Sequence, residues 1–96
     1  MTKQLEELVA LVPGAHVTGN AGTEITSIER DSRKAGKGAL FACISGAHVD
    51  AHSFIPDVAR AGARAVLTER ASVDVPDGVA VLYVPNLQEA LDTIVP

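Results

Sequence analysis

Apolar side chains recur along this chain with two different periods, and the switches between them mark out its elements. Leu5, Leu8, Val9 and Val12 follow helical spacing, and "VPG" stops them because Pro13 has no N–H and Gly14 accepts turn geometry. His16 to Thr18 reads as a brief strand, "GNAG" as a turn, and "TEITSIE" as a β-prone run leading into "RDSR". The segment "ALFACIS" is apolar on both alternating faces, the pattern of a central strand covered on each side. A helix should follow, with Ser53 as its cap, Pro56 in its first turn and Gly62 at its end. "RAVLTE" then supplies a strand, so residues 39–69 read as strand, helix and strand, the spacing of a right-handed parallel crossover. "VDVPDG" reads as a surface turn, "VAVLYV" as another apolar strand, and "NLQEALDTIV" as a last helix capped by Asn86.

This order predicts an α/β fold over residues 1–96: a single small domain with a mainly parallel sheet flanked by helices. Composition agrees, since 47% of the 96 residues are apolar and only three are aromatic, so Val, Leu, Ile and Ala must build the core. The single cysteine, Cys43, allows no internal disulfide and reads as an inert core residue. The acidic start "MTKQLEELVALV" lacks the pattern of a signal peptide, and no segment has the roughly 20 apolar residues of a membrane span. A cytoplasmic setting with no membrane contact is expected.

Charge singles out one stretch. The formal total is −4, which disfavours nucleic acid as a partner, yet residues 30–37 carry four basic side chains and one Asp, leaving −7 for the remainder. "RDSRKAGKG" interleaves cations with small residues, so its backbone N–H groups, Ser32 and an arginine suit a phosphate; a solvated loop suits the same pattern. "GAHVDAH" holds His48, Asp50 and His52, but it lacks the Glu of the helical two-histidine zinc motif, so no metal is expected there. As a loop at the carboxyl end of a central strand, it stands where open α/β sheets contact ligands. No "GxxxxGK[ST]" run is present to cradle ATP.

Asp31-Ser32-Arg33, Gly38-Ala39-Leu40-Phe41, Gly46, Asp50, Phe54-Ile55-Pro56 and Gly62-Ala63 stand in the order and at the spacing of the N-terminal domain of the Mur ligases, which the chain resembles. Those enzymes add amino acids to UDP-N-acetylmuramoyl peptides in peptidoglycan synthesis. The flanking segments are most similar to the ligase that adds the third residue, meso-diaminopimelate or lysine, to UDP-N-acetylmuramoyl-L-alanyl-D-glutamate. The ligase adding the terminal D-Ala-D-Ala dipeptide shares much of the pattern.

The resemblance implies that this domain holds the uridine diphosphate end of that UDP-N-acetylmuramoyl dipeptide through Arg30, by its backbone, Ser32, and the trio Ala47, His48 and Val49. Arg33 is expected to pair with a carboxylate. The resemblance also implies that ATP and Mg2+ serve central and C-terminal domains absent from this chain, so no residue here is catalytic and no cofactor binds. Ala39 stands where the family usually has Asp, and Ala51 replaces the Gly of a "DG" pair. If position 51 needs a positive φ, Ala costs on the order of 1 kcal/mol there. Those two positions favour a rival reading, a non-enzymatic interaction or scaffold domain of the same fold.

Overall fold

The computed structural model describes residues 2–44 and 50–95. Among the described residues seven strands and three α-helices follow one another: β1 (Lys3–Gln4), α1 (Leu5–Leu11), β2 (His16–Thr18), β3 (Glu24–Ile25), β4 (Ser27–Glu29), β5 (Ala39–Ala42), α2 (Ile55–Arg60), β6 (Ala65–Thr68), β7 (Ala80–Tyr83) and α3 (Leu87–Ile94). A 3-10 turn, Ala51–Phe54, leads into α2. Five strands form one sheet in the order β2-β7-β6-β5-β4, in which β4 through β7 are all parallel and β2 is antiparallel to β7. This is the expected α/β fold with a mainly parallel sheet.

Alternation along β5 and β6 divides the core in two, because successive side chains of a strand point to opposite faces. Leu40, Ala42, Ala65 and Leu67 face α1 and α3, where Leu5, Leu8, Leu87 and Leu91 are buried. Phe41, Cys43 and Val66 face the other way, against Ile55 and Val58 of α2. All four residues of β5 and of β6 are buried, as strands covered on both faces must be. Burying one side chain of the size of Phe41 or Leu67 contributes about 1.5–3 kcal/mol. Beyond β5, Cys43 is still buried but Ile44 is 39% exposed, so the buried run ends earlier than the sequence pattern suggests.

Two local expectations are corrected. "TEITSIE" is not one strand: it breaks at Thr26, whose N–H donates to Gly38 O, so that β3 pairs with β1 in a small antiparallel sheet while β4 joins the main one. Ser53 is not the cap that starts the helix. Phe54 stands at the start of α2 with no side-chain cap bond, and Asp50 caps the 3-10 turn before it, its carboxylate accepting from His52 N at 3.0 Å, while Ser53 Oγ donates to Asp50 O. The surface turn expected at "VDVPDG" is present, Pro76, Asp77 and Gly78 being exposed and Val79 N donating to Pro76 O at 3.2 Å; it lies in the irregular crossover that joins parallel β6 to β7 over residues 69–79, where Val73, Val75 and Val79 pack on the Phe41 face. Asn86 caps α3 as expected, accepting from Glu89 N at 3.0 Å.

The loop between β4 and β5 must cross the sheet from one end to the other, since two neighbouring parallel strands start at the same edge. It does so over residues 30–38, with Ala35 buried midway and Gly38 N bonded to Gly62 O. Gly38 has φ +81, and a Cβ there would stand 2.4 Å from Thr26 Oγ1, so this entry to β5 requires glycine.

Candidate functional site

The carboxyl ends of β4, β5 and β6 lie side by side, and the chain leaves them at Glu29, Ala42 and Thr68. From β4 it turns at once. Lys34 N donates to Asp31 O at 2.9 Å, closing a β-turn in which Ser32 is the first central residue. Asp31 organises this turn twice over, its carboxylate also accepting from Arg33 N at 2.9 Å, from Arg33 Nε at 3.1 Å and from Arg33 Nη2 at 2.9 Å. Arg33 therefore pairs with a carboxylate, as expected. The Arg33 guanidinium and backbone N–H beside Asp31 hold its carboxyl down to about 2.

Arg30 is exposed and Ser32 half-buried on this turn, and the topology puts both at the carboxyl edge. Ala47, His48 and Val49 lie outside the described residues. Their flanks are fixed: Ala51 N donates to Ile44 O at 3.1 Å, and Asp50 follows directly. The basic stretch, read from sequence as one unit, is not one in space. Arg33 is matched by Asp31, and Lys37 lies with Arg64 at the amino edge, where residues 30–38 have carried it.

Lys37 and Arg64 line a cavity of about 700 Å³, together with the turn glycines Gly19, Gly38 and Gly78. Cavity size and the sequence-derived site thus disagree, for neither Arg30 nor Ser32 lines it. In open parallel sheets ligand contacts come from the loops that leave the strands at the carboxyl edge, where the Ser32 turn stands.

A further cluster at that edge escaped sequence reasoning. Asp50 Oδ1 accepts from His52 N at 3.0 Å and lies 2.6 Å from His52 Nδ1. His52 Nε2 lies 2.7 Å from Thr68 Oγ1, which also accepts from Arg70 N at 3.0 Å. Arg70 Nη2 donates to Asp50 Oδ2. The carboxylate fixes the Nδ1–H form of the imidazole, which leaves Nε2 to accept the Thr68 hydroxyl when the ring is neutral. These bonds, led by the His52 backbone N–H, hold the Asp50 carboxyl well below the usual carboxylate range. Burial, with the Asp50 charge adding, pushes the Cys43 thiol up to about 12, so it is no nucleophile.

Asp50 and His52, weighed from sequence as metal ligands, thus bond to each other and to protein neighbours. Among the described residues, no three His, Cys, Asp or Glu side chains converge. Ala51 is buried in the 3-10 turn, and no non-glycine described residue has a positive φ, so the strain considered for it does not arise. Ala39 is fully buried against the Phe41 face. No helix among the described residues is long and apolar enough to cross a membrane.

Residues 24–96 match the family model described as Mur ligase family, catalytic domain. A UDP-N-acetylmuramoyl-L-alanyl-D-glutamate-2,6-diaminopimelate ligase of Bacillus cereus is 45% identical over 74 residues, covering 76% of this chain and 15% of that protein. The ligase of the same name from Bacteroides fragilis is 32% identical over 88 residues, 92% of this chain and 18% of that protein. Among solved structures, MurF from Acinetobacter baumannii superposes with a TM-score of 0.80 at 27% identity, over 98% of this chain and 20% of that one. The chain therefore spans a fifth or less of the length of these proteins. With the sheet order, the "DSR" turn and the matched residues in agreement, the chain belongs to the Mur ligase family.

Proposed function

We propose that this chain binds the uridine diphosphate end of UDP-N-acetylmuramoyl-L-alanyl-D-glutamate for an ATP-dependent ligase that adds the third peptide residue. Arg30, through its backbone, Ser32, and Ala47, His48 and Val49 make the contacts. The observation that carries this reading is the parallel pairing of β4 and β5, which places the Ser32 turn and the chain leaving β5 at one edge of the sheet. The printed names of the relatives at 32% and 45% identity favour the third-residue ligase. The likeness to MurF favours the ligase adding the terminal dipeptide, as a second reading at lower identity.

In this reading the chain supplies positioning. Anchoring a remote part of the substrate orients the reacting carboxylate elsewhere in the enzyme, and binding energy is thereby used to lower the entropic cost of reaction. ATP and Mg2+ do not fit these residues: the sequence has no phosphate-cradling glycine loop with its Lys, and no acidic cluster forms among the described residues. They belong to central and C-terminal domains that partner this one in the cytoplasm.

Titrating the 15N-labelled chain with UDP tests the reading. Saturable shifts that include residues 30–33 and 46–50 are expected. A flat response at millimolar UDP supports the scaffold alternative instead.

A further inference from the structure

Among the described residues three arginines pair with an aspartate, and one pairing differs in kind. Arg33 and Arg60 reach Asp31 and Asp57, two and three residues away on their own turn or helix. Arg70 reaches Asp50, 20 residues away, so its side chain joins the exit of β6 to the segment that returns from β5. Both of its anchors are themselves held. Its backbone N–H donates to Thr68 Oγ1, fully buried and in contact with His52 Nε2, and its partner Asp50 accepts from His52 N.

A guanidinium carries five N–H donors in a rigid fork, suited to bidentate binding of phosphate oxygens. The bond to Asp50 engages Nη2, and the Arg70 side chain remains 51% exposed. It is thus a cation already ordered, with side-chain donors that no other described residue engages. It follows the carboxyl end of a parallel strand, the edge at which such sheets take ligands. One strand, β5, separates the exit of β6 from that of β4, so Arg70 and the Ser32 turn leave the sheet about 10 Å apart.

We infer that Arg70 is a further anion-binding residue of the carboxyl edge, taking the diphosphate of a nucleoside diphosphate, and that Asp50 is its positioning residue. The identity of the nucleotide rests on the function proposed above; the anion site does not. The Asp50 charge offsets that of Arg70, so binding of the anion rests on the guanidinium donors that Asp50 does not engage and not on net charge.

The test follows the Arg70 side-chain Nε–Hε signal of the labelled chain during titration with inorganic pyrophosphate, with UDP and with uridine. Saturable shifts with the first two and none with uridine are expected. Arg70→Ala should weaken pyrophosphate and UDP at least five-fold, Arg70→Lys less, and Arg60→Ala, the paired arginine at the far end of α2, not at all. Asp50→Asn should weaken UDP while leaving any uridine affinity unchanged; an unchanged UDP affinity removes the positioning role. Arg70 unmoved by pyrophosphate and UDP, or Arg60→Ala losing as much as Arg70→Ala, overturns the site. A flat UDP response beside a saturable pyrophosphate shift keeps the anion site and removes the nucleotide reading.

Discussion

His52 and Thr68, sixteen residues apart, meet at 2.7 Å between Nε2 and Oγ1, and this contact ties the start of the 3-10 turn to the end of β6. Thr68 is fully buried, and its oxygen also accepts Arg70 N. Thr68→Val keeps the shape and removes the oxygen, leaving an imidazole nitrogen and a backbone N–H without partners. Unmet buried groups cost about 1–3 kcal/mol, and in a domain of this size each kcal/mol lowers the melting temperature by about 4–8 °C. Urea unfolding should show that loss for Thr68→Val and little for Thr68→Ser. Equal midpoints for the two variants would mean the hydroxyl holds nothing.

Asp31 and Asp50 predict the acid limb of the stability curve. Both carboxyls titrate lower in the folded chain than the ordinary 3.8, Asp31 at about 2 through Arg33 and Asp50 lower still through His52 and Arg70. A folded-state pKa below the unfolded one means stability that is complete above the unfolded value and lost as pH falls through the folded one. Stability should therefore decline as pH falls below about 4, through about 2 for Asp31 and further down for Asp50. Carboxyl 13C titration should give Asp31 a midpoint near 2, and Arg33→Ala should return it towards 3.8. An Asp31 midpoint unchanged by Arg33→Ala would refute the pairing as its cause.

The sequence made the sheet legible because its signals there are local. The apolar run at Ala39–Ala42, the Asn86 cap and the glycine ending α2 each declare themselves within a few residues. What it hid depends on contacts across the chain. Asp50 reads from sequence as one of several possible ligands because its side-chain partners, His52 and Arg70, emerge only in the fold, and the spacing to Arg70 has no sequence signature. The basic stretch misled for a related reason. Adjacency from Arg30 to Lys37 suggested one patch, but a loop joining parallel neighbours must travel the length of the strands, which parts its two ends. Of the proposed site, the turn carrying Arg30 and Ser32 is described, and Ala47, His48 and Val49 fall outside the described residues.

Gly38→Ala tests the tight entry to β5. The substitution forces an L side chain to φ +81 and sets its Cβ 2.4 Å from Thr26 Oγ1. Left-handed strain of this kind costs on the order of 1–3 kcal/mol before any clash. Adding Thr26→Ser should leave the strain in place, because the clashing oxygen remains, whereas Thr26→Ala should relieve part of the loss. Denaturation midpoints of the single and both double variants decide the matter; no loss in Gly38→Ala would show that this entry tolerates a side chain.

Cys43 should behave as a thiol that reacts only from the unfolded chain. It is 2% exposed, and burial raises it to about 12, so thiolate is scarce at pH 8 in the native state. Alkylation requires both access and ionisation. Under native conditions the rate with iodoacetamide should be orders of magnitude below that of a free cysteine and should rise with urea in step with the population of opened chain. Asp50→Asn removes the smaller, charge-based part of the shift, and exposure is unaltered, so the native rate should rise only slightly. A native rate near that of free cysteine would show that the carboxyl end of β5 opens on its own, independently of the core that Phe41 and Val66 form on the same face.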